Sequence, residues 1–287
     1  MKLIAFMVLI NIIAIIHELG HYFAARFTGT TVKKFSIGLG RKLFSWNRNG
    51  TEFCLSLIPI GGYIKMAGDD DTVPAKPTDP EGYFVRKTLL QRTSIIAAGP
   101  LFNFLLGFCL IIALFTFFGE PYVETVTITL DQGSVGNSES AAAPVKDMRF
   151  RELNFQYAVL QAVLKSVGIA YHCLVAFSAL VTGNLGESLV GPVKMISYTG
   201  KAANFGVVPF LLLLGFFSIN MAFLNLLPIP GLDGGYLLFY AYEAAFRKKP
   251  NPVTIGWFKR IGMGVLLGLM GYVVSTEFLE YIVKLFA

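Results

Sequence analysis

Residues 3 to 27 read LIAFMVLINIIAIIHELGHYFAARF, an apolar run that holds two histidines and a glutamate. The run is long enough to cross about 30 Å of hydrocarbon as one helix. It is longer than the core of a secretory signal peptide, and such a core carries no ionisable residues, so we expect a retained membrane helix. An ionisable side chain inside a span is costly and is a functional-site hypothesis by default. His17, Glu18 and His21 are therefore candidates for functional residues.

The remaining sequence also has the composition of a membrane protein. Hydrophobic residues make up 54% of the 287 residues and charged residues only 15%, which is unusual for a soluble protein. Three further apolar runs are long enough to span, at residues 93–118, 207–227 and 261–286. The sequence thus predicts at least four transmembrane helices. Polar residues interrupt a fifth run, 158–180, which either spans or lies along the membrane surface.

The distribution of basic residues indicates the topology. The chain carries a net charge of +6, and its lysines and arginines cluster in residues 33–92 and 247–260, between the first two and the last two runs. By the positive-inside rule both connections are cytoplasmic, and both termini then face the outer side. The positive charge is therefore explained by topology, with some attraction to anionic lipid, and we expect no nucleic-acid partner.

Short β-prone runs follow the first helix between residues 32 and 66, where the hydrophobic period changes. Asn49-Gly50 separates two of these runs and is a strong signal for a tight hairpin turn. We therefore expect a small β-sheet on the cytoplasmic side. The predicted fold class is an α-helical polytopic membrane protein, with at least four transmembrane helices and this sheet.

The pentapeptide HELGH at residues 17–21 matches the pattern H-E-x-x-H. Residues four apart share one face of a helix, so the imidazoles of His17 and His21 can bind one Zn²⁺ ion. Glu18 lies beside them, where it can take a proton from an attacking water molecule. A packed histidine pair with a glutamate that reaches toward water is the plainer alternative. The position near the cytoplasmic end of an apolar span favours the metal site.

Catalytic zinc sites usually have three protein ligands and one open position, so we expect a third ligand at membrane depth. Asp233 is the outstanding candidate, because it follows the third apolar run within NLLPIPGLDGG, residues 225–235. The prolines and glycines break the helix there and free the chain to bring a carboxylate to the metal. The alternative is a helix-ending turn in which Asp233 is only a cap.

Four motifs together resemble the site-2 protease family of intramembrane zinc proteases. They are HELGH in the first span, IPIGGYIKM after it, GPLFN in the second span and NLLPIPGLDGG at the third. The similarity covers nearly all the chain outside residues 119–150. It is greatest to the bacterial branch whose members release stress sigma factors by cutting membrane-bound anti-sigma proteins.

The resemblance implies a role for individual residues. It implies that His17, His21 and Asp233 bind Zn²⁺ and that Glu18 is the general base. These are the same residues that the two metal-site patterns indicate on chemical grounds. The implied cofactor is Zn²⁺.

The resemblance also implies a substrate-binding set. Asn225 and Pro228 match residues that help to hold the substrate near the metal. Gly61 and Gly62 match a membrane-dipping β-loop that in the family pairs with an unwound substrate strand, which would replace the hydrogen bonds lost from a substrate helix. Asn103 lies in the GPLFN motif, for which close helix packing is as good an explanation as a direct role.

Members of that branch usually carry one or two PDZ domains between the second and third spans, and residues 119–150 are too few for one. The chain is either a naturally short member or an engineered deletion. We divide it into a first catalytic half (1–118), a short outward linker in place of PDZ domains (119–150), an amphipathic or membrane-associated helical region (151–206) and a second catalytic half (207–287).

The sequence thus predicts an intramembrane zinc endoprotease that cuts in or near the transmembrane segments of single-span proteins. The resemblance implies anti-sigma factors or signal-peptide remnants as substrates, and a bacterial inner membrane as the location, with the lipid bilayer as surroundings. A membrane metal transporter or metal-dependent binding protein that uses the same ligands without hydrolysis is the alternative. The predicted spans show no chain of carboxylates or histidines across the bilayer, which weighs against transport.

Overall fold

The computed structural model describes residues 1–69, 78–126, 145–182 and 191–286, and helices account for most of them. The helices are α1 (Lys2–Phe27), α2 (Leu89–Phe117), α3 (Phe155–Thr182), α4 (Pro192–Phe205), α5 (Val207–Leu226), α6 (Asp233–Phe246) and α7 (Pro252–Phe286). The strands are β1 (Val32–Arg48), β2 (Thr51–Met66), β3 (Glu120–Val126) and β4 (Val145–Arg151), and a short 3-10 helix covers Phe84–Arg86.

Five helices of the described chain are long and apolar enough to cross a membrane: α1, α2, α5, Phe155–Ala179 of α3 and Pro252–Leu279 of α7. The four predicted spans are confirmed. The last one begins at Pro252 instead of residue 261, because its helix also includes the basic residues Lys259 and Arg260, which precede the predicted run. Many large apolar side chains on these helices are exposed, as a lipid-facing surface requires. The protein is a multi-pass membrane protein.

Helix α2 packs antiparallel to both α1 and α5, with glycines at the contacts. A Cβ atom on Gly20 of α1 would lie 2.3 Å from the carbonyl oxygen of Ala98 in α2. A Cβ atom on Gly107 of α2 would lie 2.4 Å from the carbonyl oxygen of Gly215 in α5. Only glycine allows these close approaches, which is the usual role of small residues between membrane helices. The three helices therefore form one closely packed bundle.

The directions of α2 and α5 determine on which side of the bundle the connection through α3 and α4 begins and ends. Since α5 runs antiparallel to α2, it begins on the side of the bundle where α2 ends. Helix α3 packs beside α2 and α5, and α4 packs beside α1 and α5. Together they must return the chain to the side that it left after α2. The sequence left open whether residues 158–180 span the membrane. Helix α3 is long enough to span it, but α3 and α4 together begin and end on the same side of the bundle.

Strands β1 and β2 form the predicted sheet. Their connecting turn has φ angles of 50° at Asn49 and 79° at Gly50, as a tight hairpin turn requires. Both strands are long and fold back, so Phe35 of β1 pairs with Phe53 and also with Ile64 of β2. Among the strands of the described chain, the last part of β2 pairs only with β1. This part of β2 is therefore an edge of the sheet.

The predicted outward linker begins and ends in regular structure. β3 and β4 pair antiparallel, from Glu120 opposite Arg151 to Val126 opposite Val145. Residues 127–144, which make up most of the predicted linker, lie outside the described residues. The division of the chain into four parts stays a prediction.

Glu277 of α7 joins the last helix to the beginning of α4. It is only 5% exposed, and its carboxylate accepts hydrogen bonds from the backbone N–H groups of Gly191 (2.8 Å), Val193 (3.0 Å) and Lys194 (3.3 Å). The first N–H groups of a helix have no partner within that helix, and a negative charge there is stabilised by the helix dipole. Glu277 thus caps α4 from another helix and holds α7 beside it.

We expect Glu277→Ala to destabilise the protein by about 2 kcal/mol, because buried N–H groups of α4 lose their acceptor. The measurement is the melting temperature of the purified protein in detergent. Glu277→Gln keeps one acceptor oxygen and should lose less, whereas Ser275→Ala changes an exposed residue of the same helix and should melt with the parent. A parental melting temperature for Glu277→Ala would contradict the capping role.

Candidate metal centre

Three side chains that the sequence places far apart meet between α1 and α6. Nε2 of His17 lies 3.1 Å from Nε2 of His21 and 3.1 Å from Oδ2 of Asp233. Nε2 of His21 lies 3.6 Å from Oδ1 of Asp233. In the described chain this is the one group of at least three histidine, cysteine or carboxylate residues whose donor atoms could hold a metal ion, all within 4.8 Å of one another.

The spacing and the hydrogen bonds of this group fit a zinc ion. Two ligand atoms at about 2.1 Å from a tetrahedral ion lie about 3.4 Å apart, close to the observed separations. Nδ1 of His21 lies 2.8 Å from the carbonyl oxygen of Ile95, which accepts its proton and leaves a lone pair on Nε2. Oδ2 of Asp233 is buried and has no hydrogen-bond donor. A cation bound between the side chains would interact with the lone pairs of all these atoms.

Asp233 reaches the histidines because the chain breaks between α5 and α6. Helix α5 ends at Leu226, and α6 begins at Asp233 itself after the Pro-rich turn. A Cβ atom on Gly234 would lie 2.0 Å from the carbonyl oxygen of Leu227, and one on Gly235 would lie 2.6 Å from that of Ile229. The two glycines therefore let α6 fold tightly against the turn, and Asp233 is more than the cap of a helix.

An ion pair holds the other end of α6. Arg92 at the start of α2 donates to Glu243 at 2.7 Å, and both side chains are largely buried. The guanidinium of Arg92 also lies 5.0 Å from the ring centre of Tyr240 in α6. Breaking one partner of such a pair leaves a buried charge uncompensated. The pair thus keeps α6 at a fixed position against α2.

Glu18 lies between the histidines and the edge of the sheet. The backbone N–H of Ile64 in β2 faces its carboxylate. A Cβ atom on Gly62 would lie 3.6 Å from Cγ of Glu18, so this edge passes directly beside the glutamate. Gly61 precedes it with φ of 72°, a conformation that favours glycine. The structure thus places Gly61 and Gly62 beside Glu18 in the cavity lining, and their role in substrate binding stays a prediction.

Of the other predicted site residues, two lie near His17 and one does not. The amide Nδ2 atoms of Asn103 and Asn225 lie 3.4 Å and 3.5 Å from Nδ1 of His17. Asn103 is fully buried, and its contact with His17 comes in addition to its place between the helices. Pro228 is exposed in the turn after α5 and is not part of the cavity lining. The structure does not bring Pro228 to the metal centre.

A cavity of about 1030 Å³ opens beside these residues. Much of its lining is apolar and comes from α1 and α5, including Ile10, Ile13, Phe217, Met221 and Leu224. Helices α3 and α4 also contribute, through residues that the sequence patterns did not single out as site residues, such as His172 and Met195. At the side formed by β2, a hydrogen bond to Tyr63 raises the pKa of Lys34, which therefore stays positively charged next to the cavity.

We expect Gly99→Ala to abolish zinc binding, because its Cβ would lie 2.3 Å from Nε2 of His21 and 2.9 Å from Cε1 of His17. Metal analysis of protein purified in detergent measures the zinc content. Gly264→Ala is the matched control, because Gly264 also lies in a membrane helix and its Cβ would meet nothing within 4 Å. Full zinc occupancy in a folded Gly99→Ala variant would overturn this geometry.

Comparison with known proteins agrees with the site. Residues 5–269 match the family model described as Peptidase family M50. A protein of Mesorhizobium japonicum is 30% identical over 94% of this chain and 96% of its own length. A Rickettsia conorii protein is 26% identical over 96% and 98%, and one of Campylobacter jejuni 28% over 94% and 91%. All three are named provisionally as zinc metalloproteases.

The matched residues include HELGH, Asp233 and everything between them. The alignment with the Mesorhizobium protein runs over 354 positions, whereas this chain has 287 residues. That relative therefore has residues for which this chain has no counterpart. Peptidase family M50 is zinc-dependent, so the predicted cofactor is confirmed. The chain belongs to peptidase family M50, the site-2 proteases, and is a membrane protein of the zinc metalloprotease class.

Proposed function

We propose that the protein is an intramembrane zinc endoprotease that hydrolyses peptide bonds in or near the transmembrane segments of single-span proteins. One observation carries this proposal. The acceptors of His17, His21 and Asp233 converge at 3.1 to 3.6 Å, with Glu18 beside them and an open strand edge next to Glu18. A metal ligand set, a base and a peptide-binding edge are the components that proteolysis by a metal centre requires.

The position of the centre along α1 supports hydrolysis within the membrane. His17 lies fifteen residues after Lys2, the first residue of α1, or about 22 Å along the helix axis. The sheet also reaches into this depth, because the amide of Asn11 donates to the carbonyl oxygen of Pro59 at 2.6 Å. Asn11 is about 9 Å closer than His17 to the start of α1. The loop at Pro59 thus extends beyond the metal centre toward the outer side.

Each residue has a defined part in the proposed reaction. His17, His21 and Asp233 would hold Zn²⁺, which when bound supplies Lewis-acid polarisation of the scissile carbonyl and acidifies water. Glu18 accepts the proton of the attacking water and passes it to the leaving amine. The N–H of Ile64 faces Glu18 and would orient the carboxylate. Asn225 lines the cavity near His17, and in the proposed reaction it would contact the substrate.

The edge of β2 can provide hydrogen-bond partners for an unwound substrate. A transmembrane helix hides its peptide groups in internal hydrogen bonds, so it must unwind before a peptide bond can be cut. An unwound segment needs new hydrogen-bond partners, and residues 61–64 present a strand edge along the cavity. Strand addition to this edge would bring the scissile bond past Glu18. The apolar walls of the cavity suit the side chains of such a segment.

The substrates and the location are part of the same proposal and rest on the resemblance to the family. We expect anti-sigma factor-like proteins or signal-peptide remnants as substrates in a bacterial inner membrane, with both termini of the enzyme on the outer side. The basic residues between α1 and α2 and between α6 and α7 support that orientation. The longer relative has residues without counterpart here, which is consistent with the loss of an outward domain that selects substrates.

We expect Glu18→Gln to lower proteolysis of a single-span substrate in detergent by about 100-fold or more, because the proton acceptor is lost. Zinc content should stay parental, since the three metal-binding side chains are unchanged. Asp233→Ala is the contrasting variant and should lose both zinc and activity. The rate of product formation and the metal content are measured on the same preparations.

A Glu18→Gln variant that cleaves as fast as the parent would refute the proposed mechanism. The parent and the Glu18→Gln variant also distinguish proteolysis from metal transport. Uptake of zinc into vesicles that survives Glu18→Gln, without proteolysis by the parent, would support a transporter in place of an endoprotease.

A further inference from the structure

The two histidines of the metal centre differ in how their second ring nitrogen is satisfied. A neutral imidazole that offers Nε2 to a metal carries its proton on Nδ1, and that proton needs an acceptor. For His21 the acceptor is the carbonyl oxygen of Ile95 at 2.8 Å. For His17, the side-chain amide nitrogens of Asn103 and Asn225 lie next to Nδ1. One of these amides must supply an acceptor oxygen if His17 is to bind a metal.

Asn103 has an oxygen available for this role. Its side chain is fully buried, and its Oδ1 is buried without any hydrogen-bond donor. Its Nδ2, a donor, faces Nδ1 of His17 at 3.4 Å, where the metal-binding form of the ring also presents a donor. A half-turn of the amide exchanges Oδ1 and Nδ2, because the two ends of the group have almost the same shape. The exchange places an acceptor opposite the N–H.

We propose that Asn103 is the positioning residue of His17: its Oδ1 accepts the Nδ1 proton and fixes the ring with Nε2 toward the metal. The inference rests on the zinc site of the proposed function. Such partners of metal-binding histidines set the tautomer and the ring orientation. Asn103 thus does for His17 what the carbonyl of Ile95 does for His21.

The surroundings of Asn103 suit a fixed acceptor. The hydroxyl of Ser218 in α5 donates to the backbone carbonyl of Asn103 at 2.8 Å, one turn from the close approach of Gly107 and Gly215. Asn103 therefore lies within the close-packed interface of α2 and α5. Oδ1 of Asn225, unlike Oδ1 of Asn103, is not among the buried atoms that lack a partner in the described chain, so it does not need the Nδ1 proton of His17.

The test is the zinc affinity of full-length variants in detergent, measured by competition with a chromophoric chelator. Asn103→Leu keeps the shape but removes the acceptor, and it should bind zinc about 10- to 100-fold more weakly. Asn103→Asp offers only acceptor oxygens and should bind zinc nearly as well as the parent. Asn225→Leu should also retain zinc. Asn204→Leu, at an exposed position of α4, controls for a general effect of the substitution.

Rescue by aspartate separates this role from simple packing. If Asn103 instead donated to Nδ1, aspartate could not replace it, and Asn103→Asp would lose zinc as Asn103→Leu does. That result, or parental affinity in Asn103→Leu, would overturn the proposal. Melting temperatures show that each variant is folded. Zinc affinity is measured without substrate, so proteolysis by Glu18→Gln would refute the proposed function and leave this result intact.

Discussion

Burying most of the Asp233 carboxylate beside His17 and His21 is costly unless a cation shares the three groups. The separations of 3.1 to 3.6 Å leave room for one ion and for little else. Other features of the structure serve this convergence. Gly99 leaves space beside the rings, and the broken chain before α6 delivers the carboxylate. The Arg92–Glu243 pair then holds α6 in place.

A second constraint is that backbone groups at membrane depth need hydrogen-bond partners. In the proposed intramembrane site, the part of β2 at Pro59 would meet it through Asn11, which donates to the carbonyl of Pro59. The edge of β2 would meet it in part through Glu18, which faces the N–H of Ile64. The remaining groups of this edge would be satisfied by an extended substrate. In the proposed reaction, Glu18 and the substrate strand share one edge, which would link substrate binding to proton transfer.

The sequence predicted those features that depend on local patterns. The helical spacing of HELGH, the hairpin signal at Asn49-Gly50 and the helix break before Asp233 each depend on neighbouring residues, and the structure shows all three. The sequence did not predict the link between Glu277 and α4, because its partners lie far apart in the chain. Residues 158–180 were ambiguous because polar residues interrupt the apolar run, and composition alone does not distinguish a span from a helix that lies along the membrane surface.

The identity and number of the ligand atoms around bound zinc test the central claim most directly. X-ray absorption spectroscopy at the zinc edge of the purified protein measures them. Two imidazole nitrogens and a carboxylate oxygen at about 2.0 to 2.2 Å, with the oxygen contribution lost or changed in Asp233→Asn, are the expected result. A sulfur ligand at about 2.3 Å, or an unchanged spectrum in Asp233→Asn, would contradict the assignment of the centre to His17, His21 and Asp233.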